Sequence, residues 1–314
     1  MFDDLLLEEV TKKRLSWYVS EKQERCTNLL LLGEKGIGKY QIAKEIASWL
    51  LRIPRGMPNH LSLDFFEAEE CGGGTRKEQM EAMMEFISYA PVRASKRVIL
   101  IDDADDVEQN MLLKPMESQA HTCIFILVAH SSLLSTIQSR SVLLPVVTPS
   151  EENMELFLKA HEEVYDPVLV AASGGKVGYY RKFQERADYR DHLHRFLKTF
   201  NEMKDARDLL EISGALREKD SQYLFLQFDK DELAGFLNLL RTIFRWNLTC
   251  LSGCTKEPPF PLRTDMQDMY QIQQTVQILE VLKQQEQMIK VKGRYSKNNF
   301  FDLLISLITE RRIV

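Results

Sequence analysis

The sequence has little of what marks exported, membrane-spanning or nucleic-acid-coating proteins. Its 5 cysteines in 314 residues are too few and too scattered for a disulfide framework. No apolar run approaches the roughly 20 residues that span a bilayer, and the acidic start, residues 1–4, lacks the profile of a signal peptide. A formal net charge of −5 argues against a general polyanion binder. We therefore expect a cytoplasmic protein without a membrane partner, and its length favours two or three domains.

One stretch carries the pattern of a phosphate-binding loop. Residues 29–32 are all leucine, which predicts a strand buried on both faces. Gly33, Gly36, Gly38 and Lys39 follow in the spacing Gly-x-x-x-x-Gly-Lys, and helical periodicity begins directly after them. Glycines let backbone N–H groups face phosphate oxygens, and the lysine adds a positive charge. The order of strand, loop and helix therefore predicts a nucleotide site.

The position after this lysine departs from the pattern. Working phosphate loops place a serine or threonine there, whose hydroxyl holds Mg²⁺, whereas this chain has Tyr40. A phenol is too long and rigid to place its oxygen where a short hydroxyl would lie. The sequence thus predicts the scaffold of a nucleotide site without its metal ligand. Two interpretations stay open, weak binding of ATP or ADP without metal, and a loop that is only a turn.

Two carboxylates follow a second buried strand. Asp102 and Asp103 come directly after residues 98–101, Val-Ile-Leu-Ile. In phosphate-loop proteins the first acid of such a pair helps to hold Mg²⁺, and the second polarises the attacking water. Without a metal to hold, both acids would be relics with a structural role. Cys250 and Cys254, the only close pair of cysteines in the sequence, fit no common zinc site, so no metal site is predicted.

The alternation of apolar strands and amphipathic helices predicts an α/β domain with a doubly wound parallel sheet over residues 1–148. The predicted strands are residues 29–32, 61–66, 98–101, 123–129 and 142–145. Beyond residue 148 the periodicity is helical, and we divide it into a small helical domain, residues 149–200, and an all-α domain, residues 201–314. The predicted helices of the last domain are residues 203–216, 233–248, 265–289 and 299–309.

These pieces together resemble the clamp-loader branch of the AAA+ superfamily, and within it the delta-prime subunits of bacterial DNA polymerase III. The resemblance rests on the order and spacing of several motifs. Besides the phosphate loop and the acidic strand end, they include an asparagine-led helix over residues 110–117 and a Ser-Arg-Ser box at residues 139–141 after a buried strand. The resemblance implies a P-loop (AAA+) domain, a small helical lid domain and an all-α collar that joins subunits.

The resemblance also implies a role for Arg140, the arginine of the box. In this family it is an arginine finger, which enters a neighbouring subunit's site and stabilises charge on the transferring phosphoryl group. From the arginine alone, a salt bridge would be the simpler interpretation. Gly178 stands where the motor subunits carry a second arginine for the γ-phosphate. The four-cysteine zinc module of many delta-prime relatives has no counterpart in residues 50–64, so no zinc is expected.

The function implied is that of an ATPase-silent subunit of the DNA polymerase III clamp loader. Such a subunit supplies Arg140 in trans, together with collar contacts, so that the complex loads the sliding clamp onto primed DNA. The implied partners are the motor ATPase and delta subunits, with clamp and DNA reached through the assembled complex. Two other classes stay open. Tyr40 and Gly178 count against an active AAA+ ATPase, such as a motor subunit or helicase loader, and the long helical half counts against a phosphate-loop kinase or regulator.

Overall fold

The computed structural model describes residues 5–20, 27–54, 56–68, 76–118, 122–202, 228–254, 257–263 and 270–290. The chain divides into two compact units, Met1–Phe157 and Leu158–Val314. The predicted helices over residues 203–216 and 299–309 lie outside the described residues, and so do Cys26 and Cys71. The further division into lid and collar stays a prediction.

A five-stranded parallel sheet forms the centre of the first unit. Its strands are β1 Asn28–Leu32, β2 Phe65–Glu67, β3 Arg97–Ile101, β4 Cys123–Ala129 and β5 Ser141–Pro145. Their order is β2-β3-β4-β1-β5, and every neighbouring pair is parallel. The predicted doubly wound parallel sheet is therefore confirmed. All five strands end at one edge, the carboxyl edge, where ligands of such folds bind.

Helices cover both faces of this sheet because the strand residues are apolar on both sides. They are α1 Glu9–Ser20, α2 Lys39–Leu50, α3 Arg76–Ser88, α4 Asn110–Ser118 and α5 Ser135–Gln138. A further helix, α6 Glu151–Ala160, spans the limit between the two units. Leu29 and Leu31 share a core cluster with residues of α1 and α2. Leu30 belongs instead to a cluster with residues of α3, α4 and α5. This alternation is what period-two strand geometry dictates.

The predicted strand over residues 61–66 is wrong in its first half. Leu61 ends a short 3₁₀ turn, Asn59–Leu61, and only Phe65–Glu67 pairs with β3. The carboxylate of Asp64 accepts backbone hydrogen bonds from Val92, Arg93 and Ala94, which ties this segment to the loop before β3. Apolar spacing over residues 61–66 imitated a strand, although Leu61 and Leu63 both face solvent.

The second unit is helical in its described part. Its helices are α7 Pro167–Ser173, α8 Val177–Glu185, α9 Ala187–Glu202, α10 Lys230–Leu251 and α11 Ile272–Lys290. Helix α10 is central, since it packs against both α7 and α11. A capping box of Asp229 and Glu232 begins it. Gly235 lets it approach α9, because a Cβ there would lie 2.6 Å from the Tyr189 hydroxyl.

Candidate functional site: a phosphate loop with internal partners

The loop between β1 and α2 has the backbone of an anion-binding turn. Gly36 and Gly38 have φ angles of 83° and 90°, a left-handed conformation that glycine adopts without strain. At Gly33 a Cβ would lie 2.5 Å from the carbonyl oxygen of Val146, so only glycine fits there. Helix α2 begins at Lys39 directly after the loop. N–H groups at such a helix start can bind phosphate.

Lys39 is turned inward and fully engaged by the protein itself. Its side chain is 3 % exposed, and its ammonium donates to the carbonyl oxygens of Gly33, at 2.8 Å, and Glu34, at 2.6 Å. A third contact joins Lys39 Nζ to His130 Nδ1 at 2.9 Å. Burial lowers the pKa of Lys39 to about 8, although the charges of Asp102, Asp103, Asp105 and Glu34 oppose this shift.

His130 extends this contact into a chain of three side chains. It follows β4 at the carboxyl edge, and its Nε2 lies 2.5 Å from Asp103 Oδ1. An ammonium can only donate, so Nδ1 accepts from Lys39 and Nε2 carries the proton that it donates to Asp103. The second acid of the predicted pair is therefore a partner of His130. The backbone of Asp103 has a φ of 47°, and the 3₁₀ turn Ala104–Asp106 follows it directly.

Asp105 fixes the position of the histidine. Its carboxylate accepts from the backbone N–H groups of His130 and Ser131, both at 3.1 Å, and from the Ser131 hydroxyl at 3.0 Å. Burial raises the pKa of Asp105, but these hydrogen bonds outweigh it and hold the pKa below its ordinary value. The loop after β4 is thus anchored to the loop after β3.

Tyr40 also has an internal partner. Its hydroxyl donates to Glu67 Oε1, at the carboxyl end of β2. Lys44 Nζ lies 3.5 Å from the other oxygen of this buried carboxylate and 4.5 Å from the centre of the Tyr40 ring. The Lys44 ammonium, the Tyr40 ring and the Glu67 carboxylate therefore stabilise one another's positions. The phenol oxygen of Tyr40 serves as a hydrogen-bond donor to Glu67.

The donor set at the carboxyl edge does not fit a magnesium ion held in the usual way. Tyr40 has replaced the short hydroxyl and bonds to Glu67, while Asp103 bonds to His130. Asp102 accepts from the backbone N–H of Asp103 at 3.0 Å. Among the described residues, no group of three or more His, Cys, Asp or Glu side chains is arranged to hold a metal ion.

Arg140 lies at the amino ends of the strands, whereas the phosphate loop lies at their carboxyl ends. It directly precedes β5, whose first residue pairs with Asn28, the first residue of β1, and Asn28 Nδ2 donates to the Arg140 carbonyl oxygen at 3.2 Å. Five strand residues, about 16 Å, separate that end from Gly33. The guanidinium donates to the carbonyl oxygen of Thr136, at 2.7 Å, and to the carboxylate of Glu117 on α4.

The structure thus brings most of the predicted site together. Gly33, Gly36, Gly38, Lys39 and Tyr40 meet Asp102 and Asp103 at the carboxyl edge, and Arg140 stands apart from them. Gly178 lies exposed in the first turn of α8 in the second unit. Sequence reasoning missed the partner side chains, which are His130, Asp105, Glu67 and Glu117.

Comparisons with known proteins point to one family. Residues 10–149 match the family described as "DNA polymerase III, delta subunit". A DNA polymerase III subunit gamma from Buchnera aphidicola subsp. Acyrthosiphon pisum (strain APS) is 29% identical over 148 residues. That match covers 41% of this chain and 41% of the relative, so the chain spans about two fifths of the length of the curated relative it matches. Residues 10–149 are therefore similar to subunits of the AAA+ clamp-loader family.

Two solved structures are similar over more of the chain. A DNA polymerase III gamma subunit-related protein from Thermotoga maritima has a TM-score of 0.47 at 16% identity and covers 96% of this chain and 99% of its own. A RuvB variant from the same organism has a TM-score of 0.43 at 16% identity, with 78% and 77% covered. In the part of the chain that the structure describes, no helix has both the length and the apolarity to cross a bilayer.

Proposed function

We propose that the protein is a non-catalytic subunit of a DNA polymerase III clamp loader. The observation that carries this proposal is the bond from the Tyr40 hydroxyl to Glu67. The side chain that should hold Mg²⁺ is a phenol committed to a buried carboxylate, and the second acid is committed to His130. Since metal and water activation are the parts of phosphoryl transfer that a P-loop protein supplies, this chain is expected to hydrolyse no ATP of its own.

The position of Arg140 supports a role in trans. Its guanidinium is partly exposed and lies at the sheet edge farthest from its own phosphate loop. An arginine side chain cannot bridge about 16 Å, so Arg140 serves a phosphate site only when that site belongs to another chain. A finger of this kind contributes about 10³–10⁵ in rate to phosphoryl transfer.

The expected partners follow from the family. They are the motor ATPase and delta subunits, with the sliding clamp and primed DNA contacted by the assembled complex in the cytoplasm. The second unit, which is helical in its described part, is proposed to provide the lid and collar, with domain limits near residues 148 and 200.

One observation favours a second candidate, an active AAA+ ATPase. The left-handed glycines and Lys39 keep the shape of a working loop, which would suit bound nucleotide. Release of Lys39 from His130 would then have to accompany binding. Nucleotide binding without hydrolysis stays compatible with the first proposal.

The test is ATP turnover by the motor ATPase subunit of the same cell, with and without this protein and with Arg140→Ala. We expect the wild type to be inactive alone and to stimulate the mixture, and Arg140→Ala to lose that stimulation. Arg140→Lys should recover little, because an ammonium lacks the planar fork of a guanidinium. Exposed Arg14 provides the control, and Arg14→Ala should stimulate like the wild type. Turnover by the protein alone that Lys39→Ala abolishes would establish the active ATPase instead.

A further inference from the structure

A group of apolar side chains is exposed on the first unit, on the loops that precede β2 and β3. Met57, Leu61 and Leu63, between α2 and β2, are 49%, 62% and 63% exposed, and Val92, before β3, is 58% exposed. Single exposed leucines are ordinary on protein surfaces. Four large apolar side chains on two loops tied to one another are unusual, and such patches commonly mark interaction sites.

Asp64 holds these two loops together. It is 1% exposed, and its carboxylate accepts from the backbone N–H groups of Val92, at 2.6 Å, Arg93, at 2.7 Å, and Ala94, at 2.8 Å. Burial raises the pKa of Asp64, but the three N–H groups and the charge of Arg97 outweigh it and hold the pKa below its ordinary value. The carboxylate therefore stays charged at neutral pH, and the two loops form one preorganised surface.

The other side of this surface is tied to helix α2. Asn59 Nδ2 donates to the carbonyl oxygen of Lys44 at 2.9 Å, and the hydroxyl of Ser48 donates to Asn59 Oδ1 at 2.5 Å. Asn59 is buried, so these bonds are shielded from water. The apolar side chains thus stand on a segment fixed at both ends.

Between the loops runs a groove of about 520 Å³. Its apolar lining consists of Leu51, Ile53, Pro54, Met57, Pro58, Leu61 and Leu63. Arg52 and Arg93 also line it, and both are exposed. Asp64 is the one carboxylate among the lining residues, and its oxygens are taken by backbone N–H groups. The lining of the groove therefore combines apolar side chains with two arginines.

We propose that this groove binds a peptide segment of a partner protein, with apolar side chains next to acidic ones. Apolar anchors would fill the space beside Leu61 and Leu63, and a carboxylate would pair with Arg93. A nucleic acid would find few cations among these apolar side chains, which makes the groove a poor site for its backbone. A groove of this size suits a few side chains of a peptide. The site is separate from Arg140 and goes beyond the proposed function.

The first experiment selects binders from a random peptide library displayed on phage against the full-length protein. Selected sequences are expected to combine apolar residues with Asp or Glu. A labelled synthetic peptide of the selected sequence is then titrated by fluorescence anisotropy. The Leu61→Ser/Leu63→Ser variant should weaken binding about tenfold or more, since two apolar contacts are lost. Arg93→Glu should weaken it several-fold, and more strongly at low salt than at high salt.

Two controls make the result decisive. Leu156 on α6 is 65% exposed, so Leu156→Ser removes a comparable leucine elsewhere on the same unit and should leave the affinity unchanged. Circular dichroism verifies that each variant is folded. Selected peptides without acidic residues, or an affinity that these groove substitutions leave unaltered, would overturn the proposal. So would self-association in sedimentation velocity that Leu61→Ser/Leu63→Ser abolishes, because the occupant would then be a second copy of the chain. All these outcomes are independent of the ATPase assay.

Discussion

Replacing Lys39 by methionine should abolish a rise in stability that the wild type shows at alkaline pH. Burial lowers the pKa of this lysine from its ordinary 10.5 to about 8. At about 1.4 kcal/mol per pKa unit, the charged form costs the folded state about 3 kcal/mol relative to the neutral form. Methionine has a similar shape and no charge, but it loses the bonds to Gly33, Glu34 and His130. These contacts are part of the environment that sets the pKa, so about 3 kcal/mol is the share of wild-type stability that changes when Lys39 loses its proton.

The pH dependence gives this prediction its sign. A basic group whose pKa is lowered in the folded state binds more protons in the unfolded state between pH 8 and 10.5. Wild-type stability therefore gains from Lys39 as the pH rises through that window, and the Lys39→Met variant lacks this gain. Relative to Lys39→Met, the wild type should gain about 2–3 kcal/mol from pH 7 to pH 10.

Urea unfolding followed by tryptophan fluorescence measures this difference. The chain has 3 tryptophans, of which Trp17 and Trp49 belong to the first unit, so a Trp246→Phe background restricts the signal to that unit. Lys35→Met removes the same charge from an exposed position of the same loop and should change stability by less than about 0.5 kcal/mol. A wild type that gains no stability relative to Lys39→Met between pH 7 and pH 10 would refute the reasoning.

Three further predictions follow from single contacts. Glu117→Gln weakens the ion pair that holds the Arg140 guanidinium, and since exposed pairs are worth about 0.2–1 kcal/mol, stimulation of the motor ATPase at subsaturating protein should rise up to about fivefold. Asp64→Asn should destabilise the first unit by about 2–3 kcal/mol in urea unfolding, since one amide oxygen cannot accept three N–H groups. The wild-type carboxylate contributes this stability above about pH 4 and loses it as the pH falls towards its lowered pKa. Gly235→Ala should lower the stability of the second unit by about 1–3 kcal/mol in thermal unfolding, because its Cβ would lie 2.6 Å from the Tyr189 hydroxyl.

Each of these has a matched comparison. For Glu117→Gln, the Glu117→Gln/Arg140→Ala double variant should show no stimulation, and a stimulation that persists would mean that it does not depend on Arg140. For Asp64→Asn, equal stability of wild type and variant at pH 7 would contradict the role given to the three N–H groups. For Gly235→Ala, the exposed helical Gly178 is the reference, because Gly178→Ala should stabilise slightly by helix propensity.

The sequence was sufficient for the sheet because its strands are buried on both faces. Runs such as residues 98–101 and 123–129 have no polar position, which is typical of parallel strands covered by helices. The same rule failed at residues 61–66, where Leu61 and Leu63 are apolar but exposed. Apolar spacing alone does not distinguish a buried strand from an exposed apolar loop. In this segment we predicted a strand where exposed apolar residues line the groove.

At the candidate site, the sequence supplied the loop and the acids but not their partners. Hydrogen bonds between distant positions, such as Lys39 with His130 and Tyr40 with Glu67, leave no local pattern. One signal was available. His130 follows β4 directly and Glu67 ends β2, and polar residues at the ends of parallel strands meet at the carboxyl edge. Applying that rule to every strand would have named both residues.

Arg140 and the phosphate loop lie at opposite ends of the strands of one sheet, so the first unit has two different faces for contacts with other subunits. A stack in which one copy's arginine meets the next copy's loop has to run head to tail, so all of its joints are alike and none is symmetric. Such a stack has two different ends. A subunit that supplies an arginine but hydrolyses no ATP of its own, as proposed above, would fit at only one of them. On that proposal, the bond between Tyr40 and Glu67 would determine the position of this chain in a row of subunits.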